Sequence, residues 1–365
     1  MCKMAAESRM VLGMQARRPT EREIIAKIRR AVNPGLRNAT RGTRGVKPGS
    51  GVRLGIGDDC AILRAPRGHE VLVTTDLSLE GRHFRREWHP ADAVGHRTLA
   101  RGLSDLAAMG AKPLAAFLSM AMPGAVAGSD WLDEFMRGFL TLAKAAGVTL
   151  AGGDTAEFAG GVVADIVLLG TAPAGTALQR SGARAGDGIY VTGALGGSAA
   201  ELRAAPYPGL RNETRGTHIG GDHPRGTHIH PDSELHPHLY PEPRLAAGMA
   251  LRRRGLATAC IDVSDGISTD LTHLCAESGC GAVIEAAKIP VHRLAAGRAD
   301  ALELALHGGE DYELLFTARG AVPRSISGVK ITRIGTMTAG RAVKIKGWDG
   351  KTKRLAAQGW EHFAG

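Results

Sequence analysis

Apolar residues recur at helical spacing in TEREIIAKIRRAV (20–32), which predicts a short helix capped by Thr20. The same period runs through ADAVGHRTLARGLSDLAAMGA (91–111) and SDWLDEFMRGFLTLAKAAG (129–147). HEVLVTTD (69–76) and GVVADIVLLGTA (161–172) instead read as strands. IYVTG (189–193) leads through a glycine-rich turn into LGGSAAEL, and TACIDVSDG (258–266) leads into ISTDLTHLCAESG, two further strand–turn–helix passages. The alternation predicts an α/β or α+β protein with a domain boundary near 173–188, where GTALQRSGARAGDG is polar and rich in glycine. The expected units are a tail at 1–19, an N-terminal domain at 20–175 and a C-terminal domain at 176–365.

One short motif interrupts this order. NPGLRNATRGTRG (33–45) reappears as YPGLRNETRGTHIGG (207–221), with an echo in PRGTHIH (224–230). About a dozen residues repeated twice make no solenoid, so both copies read as inserted loops, at 33–48 and 204–241. The second holds His218, His223, His228, His230, His236 and His238. Proline and glycine punctuate it and no histidine pair has the i, i+4 register of a helical metal site. Composition therefore favours a disordered surface loop over a metal-binding tract.

The 365 residues are 44% hydrophobic and 22% charged, ordinary for a globular chain long enough for two domains. No apolar run is long enough to span a membrane and the start lacks a secretory apolar core, so a cytoplasmic protein without a membrane partner is expected. The formal charge of +10 sits in residues 1–53, which hold 13 Lys or Arg against 3 Asp or Glu; the rest balances at 33 of each. Basicity confined to a tail and a loop, without spaced aromatics, argues against nucleic acid as the partner. Five cysteines without CxxC spacing indicate neither a zinc site nor a disulfide framework.

The chemistry lies in aspartates placed at strand ends and tight turns: Asp58 and Asp59 in GIGDDC, Asp76 in VTTD, Asp154 in AGGD, and Asp262 and Asp265 in IDVSD, with Asp105 inside a helix. Any one of them is more often a turn or cap residue, and Asp105 has Arg101 one helical turn away as an ordinary partner. Four loops that each set Asp beside Gly, Ser or Thr, however, gather hard oxygen ligands together with Thr74, Thr75 and Ser264, the chemistry that Mg2+ prefers. Such a site suits a nucleoside triphosphate and a second phosphorylated molecule, whose mutual repulsion must be neutralised. GxxxxGK[ST] is missing, as are kinase-like HRD and DFG segments, and TGALGGSA (192–199) is better explained by close helix packing than by phosphate binding.

GIGDDCAIL (55–63), TTDLSLEGRHF (74–84), LARGLSDLAAMGAKP (99–113), AGGDT (151–155), RSGARAGD (180–187), IDVSDGISTDL (261–271) and HGGEDYELLFT (307–317) together resemble the thiamine-monophosphate kinase family. That family belongs to the superfamily of aminoimidazole ribonucleotide synthetase and selenophosphate synthetase. The resemblance runs from about 20 to 365 outside the two insertions, and HGGEDYELLFT with the double-Asp motif is its most specific part.

The resemblance implies a two-domain synthetase-like fold, with an N-terminal ATP- and Mg-binding domain whose sheet forms a barrel across a homodimer, and a C-terminal mixed sheet with helices. It implies that Asp59, Thr74, Thr75, Asp76, Asp105, Asp154, Asp262 and Asp265 bind several Mg2+ ions, with Asp59, Asp76 and Asp265 catalytic. Gly153, Asp154, Arg180 and Ser264 match nucleotide-contacting positions, and His83, Glu310 and Trp360 those lining the thiamine phosphate pocket. The reaction so implied is Mg-assisted, in-line transfer of the γ-phosphoryl group of ATP to thiamine monophosphate, without a phospho-enzyme. The acceptor oxygen is already anionic near neutral pH, so no strong general base is needed. The alternatives are a sister ATP-dependent synthetase, although the cysteine expected of selenophosphate synthetase is not found, or a basic nucleic-acid-binding protein using residues 1–53.

Overall fold

The computed structural model describes residues 20–32, 51–56, 60–204, 230 and 232–359. Helix α1 (Glu21–Val32) opens with a reciprocal cap: Glu23 N–H reaches Thr20 Oγ1 at 3.3 Å while Thr20 N–H reaches Glu23 Oε2 at 2.7 Å. Strands β1 (Val52–Leu54) and β2 (Ile62–Leu63), which flank the GIGDDC motif in sequence, pair antiparallel. There follow β3 (His69–Leu79), α2 (Ala91–Ala108), β4 (Lys112–Met122), the one-turn α3 (Gly124–Ala127), α4 (Trp131–Ala146), β5 (Thr149–Glu157) and β6 (Val163–Pro173). Four of these strands form a sheet in the order β3-β6-β4-β5, parallel at β4/β5 and antiparallel elsewhere.

The second half contains β7 (Gly188–Thr192), α5 (Gly197–Arg203), α6 (Leu245–Arg253), β8 (Ala259–Asp262), α7 (Ile267–Ser278), β9 (Gly281–Glu285), α8 (Ala301–His307), β10 (Leu314–Ala318), β11 (Ser325–Ile326), β12 (Val329–Thr338), β13 (Val343–Lys346) and β14 (Thr352–Arg354). All eight strands join one mixed sheet, ordered β14-β13-β9-β12-β7-β10-β8 with β11 on β12; β13/β9 is its parallel pair. The mixed α/β expectation holds in both sheets, and strands and helices fall where the hydrophobic pattern put them.

Helix α2 is the element that ties the halves together. It packs on β3 and β6, on α4, and on α6 and β8 of the second half, and 15 of its 18 residues are buried. That burial explains its weak amphipathic pattern, because a helix covered on nearly all sides has no polar face to show. Gly138 of α4 lets the helices close: a Cβ there would lie 1.9 Å from Asp92 O. One apolar cluster, containing Leu99, Leu103, Leu106, Phe135, Phe139, Ile166, Leu251 and Phe316, runs from the first sheet across α2 to the second.

The expected surface loop at 204–241 is corrected at its C-terminal end. His218, His223 and His228 lie outside the described residues, as do 1–19 and 33–48, but 232–241 is packed structure. Leu239 is fully buried with Tyr240, against Ala93 of α2, and His238 is buried beside Arg97. Pro237, Pro241 and Pro243 stiffen this segment at little entropic cost, and its polar groups find partners: Glu201 accepts from His238 N–H at 2.6 Å, and Pro241 O meets His96 Nε2 at 2.8 Å. Composition alone gave proline and histidine their usual surface reading and missed these buried partners.

Candidate active site

One face of α2 carries Arg97, Arg101, Ser104 and Asp105, spaced so that the four side chains stack along the helix. Strand alternation turns Thr74 and Asp76 of β3 toward that face. Arg101 holds Asp76 through Nη2 at 2.7 Å and Nε at 2.9 Å, and the Thr74 hydroxyl donates to Asp105 Oδ2. Asp105 therefore takes its bond from the strand, and Arg101, its expected partner within the helix, turns to Asp76. From the second half, Asp262 at the end of β8 accepts from Ser104 Oγ at 2.7 Å and is buried.

The electrostatics of this junction are unfavourable to so much negative charge. Burial, and then Asp105, push the Asp262 carboxyl up to about 7, against the pull of the Ser104 bond. Burial raises Asp105, opposed by Thr74 and reinforced by Asp76, and burial also raises Asp76, opposed by Arg101. Asp270, in the first turn of α7, is pushed up to about 8 by burial and then by Asp262 and Asp265. Carboxylates that repel one another in a largely buried cleft form a site that favours cations.

Two loops complete the junction. Gly309 adopts φ +70°, and a Cβ on it would lie 2.7 Å from Ser264 O, so glycine allows 308–312 to cross 263–265 at close range. Backbone bonds lock the crossing, Glu310 N–H to Ser264 O at 2.7 Å and Tyr312 N–H to Val263 O at 2.9 Å, with both donors in left-handed conformations. Glu310 thereby meets Arg97 Nη2 at 2.8 Å. Burial opposes its charge, yet Arg97, His238 and Arg101 outweigh that cost and hold its carboxyl down at about 2. Asp265 N–H reaches Asp270 Oδ2 at 3.3 Å, and the last described residues, Gln358 and Gly359, bond to Ser268 Oγ and Thr269 Oγ1 beside it.

The candidate residues divide accordingly. Thr74, Asp76, Asp105 and Asp262 converge directly; Arg180, though exposed, is near enough to pull on Asp105 and Asp262; Ser264, Asp265 and Glu310 share the loop crossing. Asp154 stands on β5 beside Gly153, whose φ of +148° brings its backbone so close to β4 that a Cβ would lie 1.8 Å from Leu118 O. Both line a cavity of about 590 Å3 with Cys60, Phe117, Met120 and Thr155. His83 takes the Leu79 N–H on Nδ1 at 3.0 Å, and its carbonyl lies 3.5 Å from Arg97 Nη2.

Thr75 does not join the group through its side chain, because alternation directs it to the opposite, exposed face of β3. Asp58, Asp59 and Trp360 lie outside the described residues. The TGALGGSA turn is filled by the protein itself: Asp311 accepts from Gly196 N–H at 2.7 Å and Ser198 N–H at 3.3 Å, as the packing reading expects.

Arg97, Ser104 and Asp270 were not singled out from the sequence, and Arg101 only as a partner for Asp105. The three on α2 had a signal, the spacing 97/101/104/105 on one helix, which an eye fixed on acidic residues passes over. The donor set is all hard oxygen, carboxylate and hydroxyl, which suits Mg2+ over softer metals. Among the described residues no group of three or more His, Cys, Asp or Glu is close enough to hold an ion alone. A divalent ion here would draw its remaining ligands from water and from a bound phosphate, as Mg2+ commonly does.

Comparison with known proteins gives this architecture relatives. Residues 57–172 match the family model of the AIR synthase related protein N-terminal domain, and residues 184–347 that of its C-terminal domain. The chain is 39% identical over 326 residues to the thiamine-monophosphate kinase of Escherichia coli strain K12, covering 86% of this chain and 93% of that one. The crystal structure of thiamine-monophosphate kinase from Stenotrophomonas maltophilia K279a superposes with a TM-score of 0.68 at 33% identity, covering 90% of this chain and 96% of that one. AaThiL complexed with AMPPCP and TMP superposes with a TM-score of 0.66 at 28% identity, over 84% and 92% of the two chains.

Proposed function

This chain belongs to the thiamine-monophosphate kinase family of AIR synthase related proteins, and from that premise we propose that it transfers the γ-phosphoryl group of ATP to thiamine monophosphate, forming thiamine diphosphate. The observation that carries the reading is the convergence of Asp76, Asp105 and Asp262, each raised chiefly by burial, with Arg180 beside them and Glu310 at the far end of the same helix face. AaThiL in its complex with AMPPCP and TMP, an ATP analogue and the acceptor, supports it by likeness.

On this reading Gly153, Asp154, Arg180 and Ser264 contact the nucleotide, and His83, Glu310 and Trp360 line the acceptor pocket. Asp59, Thr74, Asp76, Asp105, Asp154, Asp262 and Asp265, with the Thr75 carbonyl, would hold Mg2+, which supplies charge neutralisation on the phosphate oxygens. The chain's own work is positional. Arg180 can fork onto phosphate oxygens, and the Glu310 carboxylate faces the cationic ring system of the acceptor. No buried base is required, because the attacking oxygen carries its own charge. Transfer is direct and in line, with no residue phosphorylated on the way.

The domain division at 20–175 and 176–365 is part of the proposal, supported by two sheets that share no strand across 174–187. So is a homodimer. Strand β3 is an edge strand whose outer face leaves Val71, Val73 and Leu77 exposed, Val73 by 61%, a patch suited to covering by a second copy. A cytoplasmic location fits ATP as co-substrate, and no described helix is long and apolar enough to cross a membrane.

The direct test incubates purified protein with ATP and Mg2+ and compares thiamine monophosphate with free thiamine. Thiamine diphosphate formed only from the monophosphate, and abolished by EDTA, is expected. No product from either, in folded protein that still binds ATP, would overturn the activity and leave the fold standing.

A further inference from the structure

Glu310 is held from one side by a chain of buried polar groups that neither the metal cluster nor the nucleotide site uses. Arg97, 3% exposed, donates from Nη2 to Glu310 Oε1 at 2.8 Å and from Nη1 to the backbone oxygen of His238. The His238 ring, 1% exposed, sets Nδ1 at 2.9 Å from Ser198 Oγ and 3.5 Å from Glu310 Oε2, and Nε2 at 3.0 Å from His89 Nε2. His238 N–H is fixed in turn by Glu201 at 2.6 Å. Three elements distant in sequence, α2, the start of α5 and the 232–241 segment, thus converge on one carboxylate.

A carboxylate that only closed a helix end would need none of this. Glu310 already has its backbone tied to Ser264 and adopts φ +54°, a conformation that a glutamate enters at a cost unless its side chain is wanted where it points. Oε1 accepts from Arg97 and Oε2 lies beside the buried His238 ring, while the side chain remains 27% accessible. A carboxylate so held keeps its charge and orientation before any ligand arrives, which lowers the ordering cost of binding a cation.

We propose that Arg97 and His238 are positioning residues that clamp Glu310 for the acceptor, making the 232–241 segment part of the acceptor pocket. The inference rests on the reading that Glu310 faces the cationic ring of thiamine monophosphate. Arg97 supplies the charge and the fork; His238 anchors the fork through its carbonyl and borders the second carboxylate oxygen through Nδ1.

The test is steady-state kinetics on the full chain, with ATP and thiamine monophosphate varied separately, alongside melting temperatures. Glu310→Gln and Arg97→Gln should each raise the acceptor KM by about 10- to 100-fold, the cost of a lost charge-assisted bond, and leave the ATP KM within about twofold. The double variant should be no worse than Glu310→Gln alone. Because Arg97→Gln risks misfolding, His238 supplies a second arm. Asn mimics Nδ1 and keeps the Ser198 and Glu310 side, whereas Gln mimics Nε2 and keeps only the His89 side. His238→Gln should raise the acceptor KM about tenfold and His238→Asn by less than about threefold, although both lose one ring nitrogen and comparable stability.

If Glu310→Gln raises the acceptor KM while Arg97→Gln and both His238 variants do not, the clamp is overturned and the acceptor reading survives. If Glu310→Gln leaves that KM unchanged, the acceptor reading fails and the clamp falls with it. If both KM values and the melting temperature move together in every variant, the network is structural and the proposal is wrong.

Discussion

Replacing Asp262 by Asn should stabilise the metal-free protein while abolishing turnover, and the size of the effect follows from the cluster. Asp262 is buried and its carboxyl rises from the ordinary 3.8 to about 7, a preference for the neutral form of about 4 kcal/mol. The folded value lies above the unfolded one, so this stability is fully present below pH 3.8 and is lost as pH rises to about 7. About 3 kcal/mol of that loss falls between pH 5 and pH 8. An asparagine keeps the shape and can still accept the Ser104 bond at its amide oxygen, but carries no charge to repel Asp105. Asp262→Asn should therefore gain about 3 kcal/mol at pH 8 relative to its effect at pH 5, a few degrees in melting temperature for a chain of this size. Urea denaturation at both pH values in EDTA measures the difference, and a thiamine diphosphate assay at saturating Mg2+ should show turnover down by orders of magnitude. Equal effects at the two pH values, or no gain at pH 8, would refute the claim that carboxylate repulsion destabilises the cleft.

Three other perturbations test separate parts of the account. His89 and His96 are lowered to about 4, chiefly by burial, so the stability of keeping them neutral is present above pH 6.5 and lost as pH falls toward 4; His96→Gln should reduce the loss between pH 6.5 and 5.5 by about 1 kcal/mol, read from urea midpoints. Gly153→Ala forces a Cβ to 1.8 Å from a backbone oxygen and should cost about 2–4 kcal/mol and raise the ATP KM; a variant of normal stability would contradict the close approach of β5 to β4. Val73→Lys places a charge on the exposed face of β3, and sedimentation should show the proposed dimer replaced by monomer at micromolar concentration, with melting of the isolated subunit little changed.

Most of the framework was legible because local rules and tertiary demands agreed. Thr20 and the apolar spacing after it announced α1, and the alternating runs at 69–76 and 161–172 paired as neighbours in one sheet. Aspartates at strand ends could be listed from the sequence, and Asp76, Asp105 and Asp262 do converge. The illegible parts are those set by distant partners. Arg101 looked like a helical partner for Asp105 and instead serves Asp76 across the fold, since Thr74 already occupies Asp105. Thr75 matched the same motif as Thr74, yet a strand sends neighbouring side chains to opposite faces. The segment 232–241 reads as loop because proline and histidine are surface residues on average, and only the arrangement of Arg97, Glu201 and Ser198 around His238 makes it core.

The position of α2 gives these separate observations a common cause. Arg97 stands where Glu310 is held and Asp105 where the carboxylates crowd, eight residues apart on one buried helix, or about 12 Å along its axis. A reaction that joins two anionic molecules depends on how far apart their charged groups are fixed, and an error of an ångström in that spacing is costly. A helix covered by both sheets can neither fray nor pivot without opening the core on each side. On the proposed reading it acts as a ruler: one end sets the acceptor through Arg97 and Glu310, the other sets the nucleotide through Asp105, Asp262 and Arg180. That arrangement explains why α2 is the most completely buried of the long helices while carrying two arginines and two aspartates, a placement that stability alone would disfavour.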